Sequence, residues 1–179
     1  MPFSDAVDRF DARADELIDR LRGNRVTNRV FYAASAVGDH GRVWFAVAAL
    51  RYFTGVGGAE AAHFAGIRAA CAEIAQSFVV NVGIKSLFKR ERPVPQFERP
   101  HKLRIPRTTS FPSGHATASF CAAVLLSQGT PWAFWLFPLA TIVAFSRAYV
   151  RIHHASDVVG GVVIGLAIGL SIAHFVPLP

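Results

Sequence analysis

The sequence predicts an all-α protein: a polytopic membrane bundle of about six transmembrane helices behind an amphipathic N-terminal helix. Three observations carry that expectation. The 179 residues are 52% hydrophobic, with a mean hydropathy of +0.33. Only 17% are charged, below the ~25% of soluble domains. Apolar runs with few internal charges follow one another from residue 28 to residue 176, separated by short polar breaks. Fifteen Phe, three Trp and ten Pro argue against disorder, which needs few aromatics. The length suits one domain.

Residues 4–22 form the most charged stretch. Val7, Phe10, Ala14, Leu17/Ile18 and Leu21 recur at helical spacing, so one face is apolar. Its acids and bases nearly cancel. Residues 1–25 therefore read as an interfacial helix against the membrane or the bundle end, with no chemistry of their own, ahead of a domain at 26–179. Six apolar segments follow: 28–37, 43–53, 62–84, 114–129, 131–149 and 155–176. A spanning helix needs ~20 apolar residues; the third and the last reach that length. Arg68 and Glu73 lie towards the start of the third, which places its membrane core from about Ala69 to Lys85. The first two are short and separated by Gly38-Asp39-His40-Gly41-Arg42. They form two short spans or a re-entrant pair that crosses once. Gly129-Thr130-Pro131 joins the fourth and fifth segments by a tight turn. Gly160, Gly161, Gly165 and Gly169 in the last favour close helix approach. The long polar loop 86–112 holds Pro93, Pro95, Pro100, Pro106 and Pro112, so it cannot be one helix. Cys71 and Cys121 lie in apolar runs and imply no disulfide framework. The opening residues lack a basic-then-apolar leader pattern.

Three clusters stand at span ends. The first is Lys85-Ser-Leu-Phe-Lys-Arg-Glu-Arg92-Pro93. Lys85 and Arg92 are two helical turns apart and would face the same way on a continuing helix. Alone, such cations read as ordinary interfacial anchors. The second, Ser110-Phe-Pro112-Ser113-Gly114-His115, opens the fourth span. Ser113 suits an N-cap, Gly114 lets backbone approach a ligand, and free N–H groups there favour phosphate. The third is Ser146-Arg147, then His153, then Asp157. Asp157 follows His153 by four residues, so on one helix the two stack. A carboxylate beside an imidazole sets its tautomer and steadies positive charge. His154 is the rival, three residues from Asp157. Following the spans, Lys85 ends the third, Ser113 starts the fourth, Arg147 ends the fifth and His153 starts the sixth. All emerge on one face.

That set suits metal-free phosphoryl transfer. Lys85, Arg92 and Arg147 would neutralise phosphate oxygens, with Ser113 and the Gly114 amide adding hydrogen bonds. His153, held by Asp157, would attack phosphorus, and His115 would protonate the leaving oxygen. No metal-ligand spacing is present, and no cofactor is implied.

Lys-x6-Arg-Pro, Pro-Ser-Gly-His and Ser-Arg-x5-His-x3-Asp, in that order, resemble the three signature motifs of the type 2 phosphatidic acid phosphatase (PAP2) family, which shares its site with vanadium haloperoxidases and bacterial class A acid phosphatases. The resemblance runs from Lys85 to Asp157 with every motif position filled. It implies an integral membrane lipid phosphatase with a six-helix bundle and no metal. It also implies His153 as nucleophile, His115 as acid and base, Asp157 as support, and Lys85, Arg92, Ser113, Gly114 and Arg147 as phosphate binders. The substrate would be a lipid phosphate or diphosphate: a polyprenyl diphosphate, phosphatidylglycerol phosphate, phosphatidic acid or a polyprenyl-phosphate sugar. The motifs read phosphate and leave the lipid open. Asp39 and His40 fall outside them and read as a helix break, or as part of a substrate gate.

Two other functions stay open: a phosphotransferase using the same phosphohistidine, and a non-enzymatic binder of anionic lipid. The net charge of +7 would suit nucleic acid, but the apolar excess makes that partner the least fitting. Residues 85–107 hold eight Lys/Arg against two acids, so the charge is local. Composition hints at a bacterial source and hence the inner membrane. The positive-inside rule would turn the charged face to the cytoplasm, although functional cations can override it. The oligomeric state is open.

Overall fold

A computed structural model describes residues 5–93, 103 and 108–179. Among them lie α1 (Asp5–Asp19), α2 (Arg25–Val37), α3 (Arg42–Thr54), α4 (Ala59–Phe78), α5 (Gly114–Ser127), α6 (Ala133–Tyr149) and α7 (Ala155–Phe175), and no strand. The polar loop's Pro95, Pro100 and Pro106 lie outside the described residues.

The centre is α5. Ala116 through Ser119 and Cys121 through Leu126 are buried, because α3, α4, α6 and α7 all pack around it. The α7 glycines explain how closely α7 lies. A Cβ on Gly161 would stand 2.6 Å from the Ser113 carbonyl, and one on Gly169 would stand 3.0 Å from Val124 Cβ. A Cβ on Gly165 would strike the Thr117 carbonyl. Each missing methyl group lets backbone rest on backbone.

Residues 59–87 form one rod, long and apolar enough to cross a membrane, as is α7. The rod changes pitch near its end, passing from α4 into a π turn (Val79–Gly83) and a 3-10 turn (Ile84–Leu87). Arg68, just before the membrane core expected from the sequence, and Glu73, within it, are both buried inside the bundle. Arg68 is accommodated by the Gln128 side chain and the Leu125 and Val176 carbonyls, which absorb the charge that water would otherwise solvate.

The first two apolar segments fold as α2 and α3 with a sharp break between them. At the α2–α3 break His40 (φ 59) and Gly41 (φ 68) are left-handed, which turns the chain sharply. α2 is tied to the C-terminal end of α6: Asn28 accepts from Tyr149 Oη at 2.6 Å, and Ser35 bonds Arg147. Then α3 runs from that end to the other. Trp44 Nε1 donates to Ser119 Oγ at 3.2 Å, and Arg51 Nη2 to the Gln128 carbonyl at 3.1 Å.

The inward face of α1 mixes polar and apolar groups. Asp11 and Ile18 are buried while Phe10, Leu17 and Leu21 are exposed. Acid–base pairs hold this face down: Arg151 Nη2 lies 3.1 Å from Asp15 Oδ2, and Arg22 Nη2 lies 2.7 Å from Asp15 Oδ1. Burial pulls the Asp15 carboxyl upward, but the bonds and charges of Arg151 and Arg22 outweigh it and hold it below the usual range.

Candidate active site

At the end where α5 and α7 begin, a cavity of about 840 Å³ is lined by Lys85, Arg92, Thr108, Gly114, His115 and His153, with Asp39 and His40 from the α2–α3 break. Five of the eight sequence-predicted residues therefore line one space. Ser113, Arg147 and Asp157 stand behind its wall, all buried.

His153 lies in the turn between α6 and α7. The expected shared helix with Asp157 is absent, because α7 begins at Ala155 with His154 as its N-cap. The turn folds back far enough to bring His153 Nδ1 to 3.6 Å from Asp157 Oδ2, beyond hydrogen-bond length but within ion-pair reach. Catalytic contacts of this kind commonly tighten when substrate binds. On the ring's other side, Arg92 Nη1 lies 3.0 Å from His153 Nε2. Arg92 can only donate, so Nε2 is the acceptor and the proton sits on Nδ1, towards Asp157. Burial drives His153 down to about 3, with the charges of Arg92 and Arg147 adding to it against the opposing Asp157 carboxylate. The ring is a neutral base whose Nε2 lone pair is held by the Arg92 N–H. His154 instead contacts the Glu91 carbonyl through Nε2, at 3.2 Å.

Asp157 is fully buried and well satisfied. Ser110 Oγ donates to it at 2.5 Å, the His154 N–H at 2.8 Å and Arg90 Nη1 at 2.7 Å. Lys85 and Arg92 were expected on one helix, but the helix ends at Leu87. Arg92 returns through loop contacts, its guanidinium donating to the Thr108, Thr109 and Ile152 carbonyls at 3.0–3.1 Å. Burial lowers its pKa to about 10 against the pull of Asp157, leaving it cationic at neutral pH. Lys85 Nζ donates to Thr108 Oγ1 at 3.2 Å. A Cβ on Gly114 would sit 4.0 Å from Lys85 Nζ, so this corner is open for an anion. Ser113 caps α5, its hydroxyl accepting from the Ala116 N–H, and points away from the cavity's lining.

Two pairings escaped the sequence reading. Asp39 Oδ1 lies 3.1 Å from His115 Nε2, close enough for an ion pair but off the line of a hydrogen bond, and 4.0 Å from Arg147 Nη1. Burial raises the Asp39 carboxyl, yet His115, Arg147 and His40 outweigh it and hold it below the usual range. Its signal was a polar dipeptide interrupting two apolar runs. The other is the Asp11–Arg90 pair: Arg90 Nη2 meets Asp11 Oδ2 at 2.5 Å while its Nη1 holds Asp157. Asp11 also accepts from the Ser156 N–H at 2.8 Å. No local pattern announces a contact across 79 positions.

A neutral imidazole aimed into a cavity of fixed cations, opposite a second histidine paired with a carboxylate, can attack phosphorus and manage a proton. Residues 66–178 match the PAP2 superfamily. The chain belongs to the PAP2 superfamily. Among characterised PAP2-type relatives, it is 35% identical over 144 residues to the decaprenylphosphoryl-5-phosphoribose phosphatase of Mycolicibacterium smegmatis, covering 72% of this chain and 68% of that one. It is 34% identical over 97 residues to the Mycobacterium tuberculosis protein of the same name, half of each chain. The same identity over 97 residues relates it to the undecaprenyl-diphosphatase of Sulfolobus acidocaldarius, 50% of this chain and 47% of that one. The matches to the last two thus span about half the length of those relatives. The fold is that of a transmembrane PAP2 type phosphatidylglycerolphosphate phosphatase from Bacillus subtilis, with a TM-score of 0.71 at 21% identity over 96% of this chain and 87% of the other. With this PAP2 fold and two helices of span length and composition, the chain is an integral membrane protein.

Proposed function

We propose that this chain is a metal-independent membrane lipid phosphatase, in which residues 26–179 form the catalytic domain and residues 1–25 an interfacial helix beside it. The observation that carries the reading is His153 Nε2, unprotonated, turned into the cavity beside Arg92 and backed by Asp157. The substrate is a phosphate monoester or diphosphate of a lipid, of the polyprenyl diphosphate, phosphatidylglycerol phosphate, phosphatidic acid or polyprenyl-phosphate sugar type. The relatives' activities support that range. The setting is the inner membrane of a bacterial cell.

Lys85, Arg92 and the backbone at Gly114 receive the phosphate oxygens, Arg147 adds its charge from behind the wall, and Ser113 holds that backbone as helix cap. His153 Nε2 forms a bond to phosphorus as the bond to the leaving oxygen breaks, and protonated His115 gives that oxygen its proton. Water then attacks phosphorus, His115 takes the proton, the P–N bond breaks and inorganic phosphate leaves. Asp157 balances the positive charge on His153; Asp39 does the same for His115.

Purified protein in detergent, given a panel of lipid phosphates and water, should release inorganic phosphate, and His153→Ala should abolish release while lipid binding survives. Retained turnover in that variant would falsify the nucleophile. Group transfer to an alcohol without phosphate release would favour the phosphotransferase. Strong loss of activity on adding EDTA would overturn the metal-independent chemistry.

A further inference from the structure

The charges behind the nucleophile do not stop at Asp157. On α1, Asp11 is 7% exposed, a costly place for a carboxylate unless fixed donors meet it. Its Oδ1 accepts from the Ser156 N–H at 2.8 Å and its Oδ2 from the Ser156 hydroxyl at 2.7 Å. The same Oδ2 meets Arg90 Nη2 at 2.5 Å. Ser156 is the second residue of α7, and the first N–H groups of a helix have no partner within it. A side chain of α1 thus caps the helix that carries Asp157 at its next position.

Arg90 closes the ring. Its Nη1 donates to Asp157 Oδ1 at 2.7 Å and to the Ser156 hydroxyl at 2.6 Å, while the other oxygen of Asp157 faces His153 Nδ1. One guanidinium therefore stands between two buried carboxylates, and each draws on its field. The reaction needs Asp157 to act as a negative charge, because His153 becomes positive as its Nε2 bonds phosphorus. A guanidinium against Asp157 works the other way. Asp11 offsets it, so that Asp11, Arg90 and Asp157 together keep a net negative charge beside the ring. Asp8 also lies 3.8 Å from Arg90 Nη2, but its side chain is 66% exposed and water screens it.

Asp11 is not among the residues that line the substrate cavity. It borders a second cavity of about 520 Å³, and the two cavities share Arg92 and His153. Any effect on turnover must then pass through other groups.

We propose that Asp11 is a positioning residue for the phosphatase reaction: by sharing Arg90, it keeps Asp157 in place and negative enough to support the charge that forms on His153. The inference rests on the phosphatase reading above and gives α1 a part in it.

Three full-length variants in detergent test it, on whichever lipid phosphate the wild type hydrolyses and below the melting temperature of each. Asp11→Asn keeps the side chain's shape and removes its charge. Its kcat should fall on the order of tenfold with KM within about twofold of wild type, the pattern of an interaction made in the transition state. Asp15→Asn weakens the Arg22 and Arg151 pairs that hold α1 down and leaves the Arg90 bridge whole, so its kcat should stay near wild type. Asp11→Glu retains the charge and should retain most of the rate. Wild-type kcat in Asp11→Asn would overturn the role, as would a change in KM alone. Equal losses of kcat in Asp11→Asn and Asp15→Asn would reduce Asp11 to a clasp for α1. A slow Asp11→Glu protein would sink the role of charge whether or not Asp11→Asn folds. No phosphate release by the wild type from any lipid would instead strike the phosphatase reading, and this inference with it.

Discussion

Arg90 is the residue on which the most buried charge depends. Asp157 is fully buried and Asp11 nearly so, and the one guanidinium bridges them. Removing it takes the cation from two buried carboxylates, which should destabilise the fold by about 3–5 kcal/mol. Arg90→Gln should therefore melt well below wild type in detergent, and Asp11→Asn, which keeps the acceptor shape, by less. An Arg90→Gln protein that melts with wild type would show the bridge to be idle. His153 carries a pH signature. Its folded pKa of about 3 lies below the ordinary ~6.5. As pH falls from about 6.5 towards 3, the unfolded chain takes up a proton that the folded chain refuses, so stability falls with pH in that window and is complete above it. His153→Gln should flatten the slope of melting temperature between pH 6.5 and 4.5. An unchanged slope would mean that another group sets it.

Among the elements, the α5–α7 contact decides whether the site closes, since α5 carries His115 and α7 carries Asp157. Gly165 sits against the Thr117 carbonyl, which is backbone and cannot turn aside. Gly165→Ala should cost about 1–3 kcal/mol through overpacking and should reduce turnover by parting the two helix starts. Gly83, with nothing within 4 Å of its would-be Cβ, supplies the control: Gly83→Ala should melt close to wild type. If both substitutions behave alike, close approach is not what α7's glycines provide. The pitch change beyond α4 matters in the same way. It ends the rod at Leu87 and frees the chain to bring Arg92 back over His153.

For the whole molecule, α1, α2 and the site gather at one end of the bundle. Among the described residues, Arg51 and Arg68 are the Lys/Arg that belong to the other end, with partners at Gln128 and Val176. That asymmetry is steep, and Asp/Glu count for little in setting orientation. The site end should therefore face the cytoplasm and the α7 C-terminal end the outside. A periplasm-dependent reporter fused after Val176 should be active, and cysteine introduced at position 97 should resist labelling from outside intact cells. The reverse pair of results would place the site outside and show its cations to be functional rather than topogenic.

The helices were legible because hydrophobic periodicity and length report them directly, and six apolar runs became α2 to α7 with shifts of a few residues. The residues at span ends were legible because motif spacing and alternating span direction bring Lys85, His115 and His153 to one face. Two readings failed for one reason: helical phase was extended past the helix. Lys85 with Arg92, and His153 with Asp157, meet through loops whose course depends on carbonyl contacts. The pairs Asp39–His115 and Asp11–Arg90 join positions too far apart for any local pattern to report. Composition and spacing thus set the bundle and the chemistry at its end. The packing of remote segments set which charge faces which, because burial makes each unpaired charge costly and only the folded chain brings its partner near.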